Sequence, residues 1–166
     1  MLKCILFDRD GTLGALSDVR YPNTFQPFTN VKQVFSALQE KGYLVGIITN
    51  QSSIARGTAG DYDYAAEFAS YGVNAWEICP HDTKDNCDCR KPKSGLLLSI
   101  AKKLNISPKE CLVVGDRLSD ILCAKNVGAS AVLVLTGYGE EEKENVLSAF
   151  PNTPILSRFD EIIHLL

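Results

Sequence analysis

The sequence predicts an α/β domain: a central, mostly parallel sheet with helices on both faces. Three observations carry this reading. Short apolar runs alternate with stretches of helical periodicity along the whole chain. Three of the runs end in polar clusters at Asp8, Thr49 and Asp116, as expected where ligands gather beyond the carboxyl ends of parallel strands. The chain has 166 residues, 45% of them hydrophobic, enough for one buried core.

The elements follow in order. Leu2 to Phe7 is apolar except for Lys3 and reads as a buried first strand. Residues 31 to 41 place apolar side chains at 31, 34, 35 and 38, a helical stripe that Gly42 stops. Tyr43 to Ile48 is the second strand. A helix is expected from Asp61 to Tyr71, closed by Gly72, and a third strand from Ala75 to Cys79. Residues 79 to 93 are polar, rich in cysteine and carry Pro80 and Pro92, so they form a loop. Ser94 to Leu104 is helical. Ser107, Pro108 and Glu110 make an N-cap, first-turn proline and capping box, but a fourth strand over Cys111 to Val114 begins at once, leaving room for a single turn. Leu118 to Val127 is a helix stopped by Gly128, and Ala131 to Leu135 a fifth strand. Glu140 to Phe150 is a helix, Pro154 to Leu156 an edge strand and Phe159 to Leu166 a last helix. With no repeat, low-complexity tract or long linker, residues 1–166 read as a single domain without a large cap domain.

Composition excludes some functions. The formal net charge is −3 and no basic stripe is present, which argues against nucleic-acid binding. No segment reaches 18 apolar residues, so no membrane span is expected, and the apolar run ending at Asp8 comes too early for a signal peptide. A cytoplasmic monomer acting on a small molecule is expected.

Asp8-Arg9-Asp10-Gly11-Thr12 leaves the first strand. Two carboxylates two residues apart can face one site if the chain curls, and Gly11 permits the curl. One carboxylate can attack phosphorus and the other can protonate a leaving oxygen and then activate water. Such a pair repels unless a cation sits nearby, and Mg²⁺ suits a site of oxygen ligands. Alone, the motif is equally an acidic turn. Thr49-Asn50-Gln51-Ser52 offers donors for phosphate oxygens, or simply a helix cap. Asp116 is a candidate metal ligand, with Asp120 a second ligand or an orienter; alone they are a cap and a first-turn acid. Arg90-Lys91 can offset phosphate charge, or form a solvated basic pair.

Six cysteines occur. Cys79, His81, Cys87 and Cys89 give C-x-H-x5-C-x-C, three thiolates and an imidazole, the composition of a closed structural zinc site. Zinc there would fix the direction of Arg90-Lys91. Cys4, Cys111 and Cys123 lie in or beside predicted strands or a helix and read as small buried hydrophobes.

In this order, the segments resemble the haloacid dehalogenase (HAD) superfamily of phosphohydrolases, over nearly the whole chain. The resemblance implies a Rossmann-like fold. It makes Asp8 the nucleophile and Asp10 the general acid/base. It implies Mg²⁺ held by Asp8, the Asp10 backbone carbonyl and Asp116, and phosphate held by Thr49 and Lys91, with Asn50 and Arg90 nearby. CPH…CDCRKP with TNQSSIARG is similar to the capless zinc-loop branch, which contains D-glycero-D-manno-heptose 1,7-bisphosphate phosphatases and histidinol-phosphate phosphatases. A 7-phosphatase of the heptose bisphosphate is the activity this implies first. Histidinol-phosphate phosphatase comes next, then a nucleic-acid 3′-phosphatase or a zinc-stabilised binding module without catalysis.

Overall fold

In the computed structural model, residues 1–16, 18 and 20–166 are described. Six strands form one parallel sheet in the order β3-β2-β1-β4-β5-β6. They are β1 (Cys4–Phe7), β2 (Leu44–Asn50), β3 (Ala75–Cys79), β4 (Cys111–Gly115), β5 (Ser130–Val134) and β6 (Ile155–Leu156). The helices are α1 (Val31–Glu40), α2 (Ser52–Ala55), α3 (Tyr64–Tyr71), α4 (Gly95–Lys103), α5 (Leu118–Lys125), α6 (Gly139–Ala149) and α7 (Ile162–Leu165). The expected α/β architecture stands, and no large cap domain is present among the described residues.

Both faces of the sheet are covered, so its central strands are buried throughout, as their unbroken apolar runs require. Alternation along β1 divides two cores. Ile5 and Phe7 join Phe35, Leu38, Phe68 and Phe159 beneath α1, α3 and α7. Cys4 and Leu6 join Leu97, Ile100, Ile121 and Val146 beneath α4, α5 and α6. Cys4, Cys111 and Cys123 are fully buried in this second core, as their apolar surroundings in the sequence suggest.

Three differences from the sequence reading follow. α3 starts at Tyr64 rather than Asp61, because the Asp63 side chain accepts from the Ala66 amide (2.9 Å) and so sets the N-terminus. β2 runs on through Thr49 and Asn50, because these pair in register with Ile78 and Cys79 of β3. Residues 159 to 166 divide into a 3₁₀ turn (Phe159–Glu161) and the short α7.

β1 is where the strand order reverses: β2 and β3 lie on one side, β4 to β6 on the other. The chain leaving the carboxyl ends of β1, β2 and β4 therefore meets at one crevice.

Candidate active site

A cavity of about 350 Å³ opens at that crevice. Asp8, Asp10, Thr49, Asn50, Arg90 and Lys91 all line it. Asp116 lies beneath, fully buried. The sequence-separated segments thus come together as expected.

Lys91 is the centre of the charge arrangement. Its ammonium donates to Asp8 Oδ1 (2.6 Å) and to the Ile48 carbonyl (2.9 Å), and pairs with Asp120 Oδ1 at 2.6 Å. It is 4% exposed. Burial works against its charge, but Asp120 and Asp8 outweigh that and raise its pKa, so it stays protonated. Burial also pushes Asp8 up, Lys91 pulls it back, and Asp120 and Asp10 push again, leaving it at about 6.

Asp116 is pushed up to about 8 by burial, by Asp8 and by Asp120. Its Oδ2 accepts from the Tyr138 amide (2.8 Å). Its Oδ1 is buried with no hydrogen-bond partner. Gly11 and Gly137 press against this carboxylate; both have positive φ (84° and 60°), and a Cβ on either would collide with Asp116 Oδ2. The turn after β1 is tied to the far loop by Thr136 Oγ1, which donates to the Gly11 carbonyl (2.6 Å).

A family model described as HAD-hydrolase-like matches residues 88–162. A D-glycero-beta-D-manno-heptose-1,7-bisphosphate 7-phosphatase of Haemophilus ducreyi is 36% identical, over 89% of this chain and 93% of its own. A protein of the same name from Pseudomonas putida is 35% identical, over 97% of this chain and 95% of its own. The solved D,D-heptose 1,7-bisphosphate phosphatase of B. bronchiseptica, complexed with magnesium and phosphate, superposes with a TM-score of 0.84. It is 28% identical and covers 99% of this chain and 97% of its own. The chain belongs to the HAD superfamily of phosphohydrolases.

As a HAD phosphatase it is a phosphoric monoester hydrolase, and its acidic cluster can be tested against a hard divalent cation. Carboxylate oxygens of Asp8, Asp116 and Asp120 lie within 4.8 Å of one another. An orphaned buried oxygen on Asp116, an all-oxygen donor set and a close-packed glycine cradle fit such an ion. Asp120 is already engaged by Lys91, and its other oxygen accepts from the Arg117 amide (3.1 Å). Of the two roles open to it in the sequence, its contacts favour orienting the lysine.

Asn50 turns toward the chain that carries Lys91. Its Oδ1 accepts from the Lys91 amide and its Nδ2 donates to the Lys91 carbonyl, both at 3.1 Å. Thr49 Oγ1 accepts from Gln51 Nε2 (3.0 Å). Arg90 Nη1 donates to Ser52 Oγ (2.9 Å) and to the His81 carbonyl (3.1 Å).

His81 belongs to the second cluster. Cys89 Sγ lies 3.2 Å from His81 Nδ1, 3.3 Å from Cys79 Sγ and 3.4 Å from Cys87 Sγ; Cys79 Sγ lies 3.6 Å from Cys87 Sγ and 3.7 Å from His81 Nδ1. A tetrahedron around Zn–S bonds of about 2.3 Å has edges of roughly 3.7 Å, so the four ligand atoms have about the right separation. The cysteines are free of disulfides. The loop between them is pinned by a capping box at Asp82 and by the Arg56–Asp82 ion pair (2.6 Å).

Two residues of the site escaped the sequence reading. Gln51 Nε2 donates to Asp10 Oδ2 (2.7 Å). Arg9 Nη1 donates to Asp10 Oδ1 (3.0 Å) from a fully buried position. The partner of Arg9, Glu67, is 58 positions away, and nothing in either segment announces the pairing.

Proposed function

We propose that this HAD phosphatase removes a phosphate from a small phosphorylated sugar through a covalent intermediate on Asp8, with D-glycero-D-manno-heptose 1,7-bisphosphate, cleaved at its 7-phosphate, as the preferred substrate. The observation that carries the chemistry is the buried Lys91 ammonium 2.6 Å from Asp8 at the floor of a cavity at the sheet's switch point. The names of the relatives support the substrate.

Thr49, Lys91 and the amides following Asp8 hold the phosphoryl oxygens. Asp8 forms a bond to phosphorus as the bond to the sugar oxygen breaks. Asp10 gives that oxygen its proton. Asp10 then takes a proton from water, whose oxygen attacks phosphorus and frees the Asp8 carboxylate. Mg²⁺, held by Asp8, the Asp10 carbonyl and Asp116, supplies positive charge against the phosphoryl oxygens and the clustered carboxylates. Lys91 fixes the Asp8 carboxylate while the charge on phosphate is redistributed, so catalysis comes from position and charge compensation.

Cys79, His81, Cys87 and Cys89 hold a structural Zn²⁺. Four protein ligands leave no open position, so its effect is to stiffen the loop that aims Arg90 and Lys91. Thiolates free to bind metal suit a reducing compartment, in keeping with the cytoplasm. Arg90, at the cavity wall, contacts the substrate beyond the phosphate being cleaved.

A phosphate-release panel of heptose 1,7-bisphosphate, histidinol phosphate and a 3′-phosphorylated oligonucleotide tests the assignment. The heptose bisphosphate should have the highest kcat/KM. Preference for histidinol phosphate would overturn the substrate while leaving the chemistry.

A further inference from the structure

We propose that Arg9 is a positioning residue: anchored by Glu67, it holds Asp10 in the orientation needed to protonate the leaving oxygen. The inference rests on the reading of Asp10 as general acid.

Arg9 has the largest fully buried side chain among the described residues. A buried guanidinium is costly unless its donors are met, and here they are met in one direction. Nε donates to Glu67 Oε1 (2.9 Å) and Nη2 to Glu67 Oε2 (2.9 Å), a two-pronged clamp. Nη2 also reaches the Pro22 carbonyl (3.1 Å) and Tyr62 Oη (3.2 Å), and the guanidinium lies 3.9 Å above the Phe25 ring. With Nε and Nη2 so fixed, the planar group has one orientation, which points Nη1 at Asp10 Oδ1.

The other oxygen of Asp10 is held by a parallel arm. Gln51 Nε2 donates to Asp10 Oδ2, and Tyr64 Oη donates to Gln51 Oε1 (2.9 Å). Tyr64 and Glu67 lie three apart on one face of α3. One helix turn therefore acts on both oxygens of Asp10, through Gln51 and through Arg9. Glu67 is steadied in its turn by Tyr62 Oη (2.8 Å) and Tyr71 Oη (3.0 Å). An apolar residue at position 9 would fill the space; a planar cation there specifically aims the neighbouring carboxylate.

General-acid catalysis matters most when the departing oxygen is a poor leaving group. The test compares an alkyl phosphate that the wild type turns over with 4-nitrophenyl phosphate, whose leaving group departs without a proton. Arg9→Lys keeps the charge and loses the fork. In the first turnover, which reports formation of the aspartyl phosphate and not the later water attack common to both esters, it should slow release of the alcohol about 10- to 100-fold and of nitrophenol by no more than about 3-fold, with KM little changed. Glu67→Gln and Tyr64→Phe, checked for folding by circular dichroism, should show the same selectivity more weakly and carry the test if Arg9→Lys fails to fold. Equal losses on both esters, or a change in KM alone, would overturn the proposal in favour of a structural role. Asp10→Asn is the control. Leaving-group selectivity there but in none of the three variants overturns only the positioning role. No selectivity in Asp10→Asn removes the acid assignment and this proposal with it.

Discussion

Lys91→Met removes a charge and little else, because methionine keeps much of the apolar stem. In the native protein the ammonium sits 2.6 Å from both Asp8 and Asp120 and is nearly inaccessible to water. Without it, two buried carboxylates face each other beside Asp116 with no compensating side chain. Removing one partner of a buried ion pair costs about 3–5 kcal/mol. That range should apply here near pH 7.5 in EDTA. The sign of the pH effect is fixed: carboxylates that lose their cation have folded-state pKa values raised further above the unfolded value of 3.8, so the variant loses stability as pH rises through that window. Near pH 5 the carboxylates take up protons, and the deficit against wild type should shrink. Urea unfolding at the two pH values measures it. Adding Asp120→Asn to the variant should return part of the loss, since one of the stranded charges goes. Turnover should fall by at least about 10²–10³. A Lys91→Met protein as stable as wild type at pH 7.5, or equally destabilised at both pH values, would refute the charge-compensation argument.

Other outcomes follow from the same geometry. Asp8 and Asp116 are raised to about 6 and about 8, so the metal-free fold should lose stability as pH climbs from about 4 toward 8. Mg²⁺ competes with those protons, and thermal-shift measurements should show a larger gain from Mg²⁺ at pH 8 than at pH 5; equal gains would contradict the placement of the cation. Cys89→Ser removes the sulfur nearest its three neighbours. Elemental analysis should find about one zinc per chain in the wild type and well below that in the variant, and protease should cut the variant within residues 80–90. A wild type that carries no zinc would end the zinc assignment.

The parts of the site legible in the sequence were those whose signal is local. Asp8 and Asp10 follow an apolar strand and precede a glycine; Cys79, His81, Cys87 and Cys89 lie within eleven residues of one another. Both patterns survive folding unchanged because strand exit and loop closure are short-range events. What stayed hidden depends on distant chain. Asp120 is held by Lys91, which comes from the loop after β3, and only the sheet order brings them together. Asn50 reads as a phosphate donor in the sequence, yet β2 extends far enough to set its amide against the Lys91 backbone. Arg9 looks like an interchangeable spacer between two aspartates until Glu67 closes over it. Strand ends shifted by a residue or two for a related reason: pairing with β3 or β5, not propensity, sets where a parallel strand stops.

The claim on which all of this turns is that Asp8 carries the phosphoryl group. It is tested most directly by mixing the Asp10→Asn protein with Mg²⁺ and radiolabelled 4-nitrophenyl phosphate, whose leaving group needs no acid, quenching in acid within milliseconds to seconds, and mapping the label by peptide mass spectrometry. The phosphoryl group should be found on Asp8, accumulating because its hydrolysis is slowed. Label on a different residue, or none while product still forms, would contradict the account.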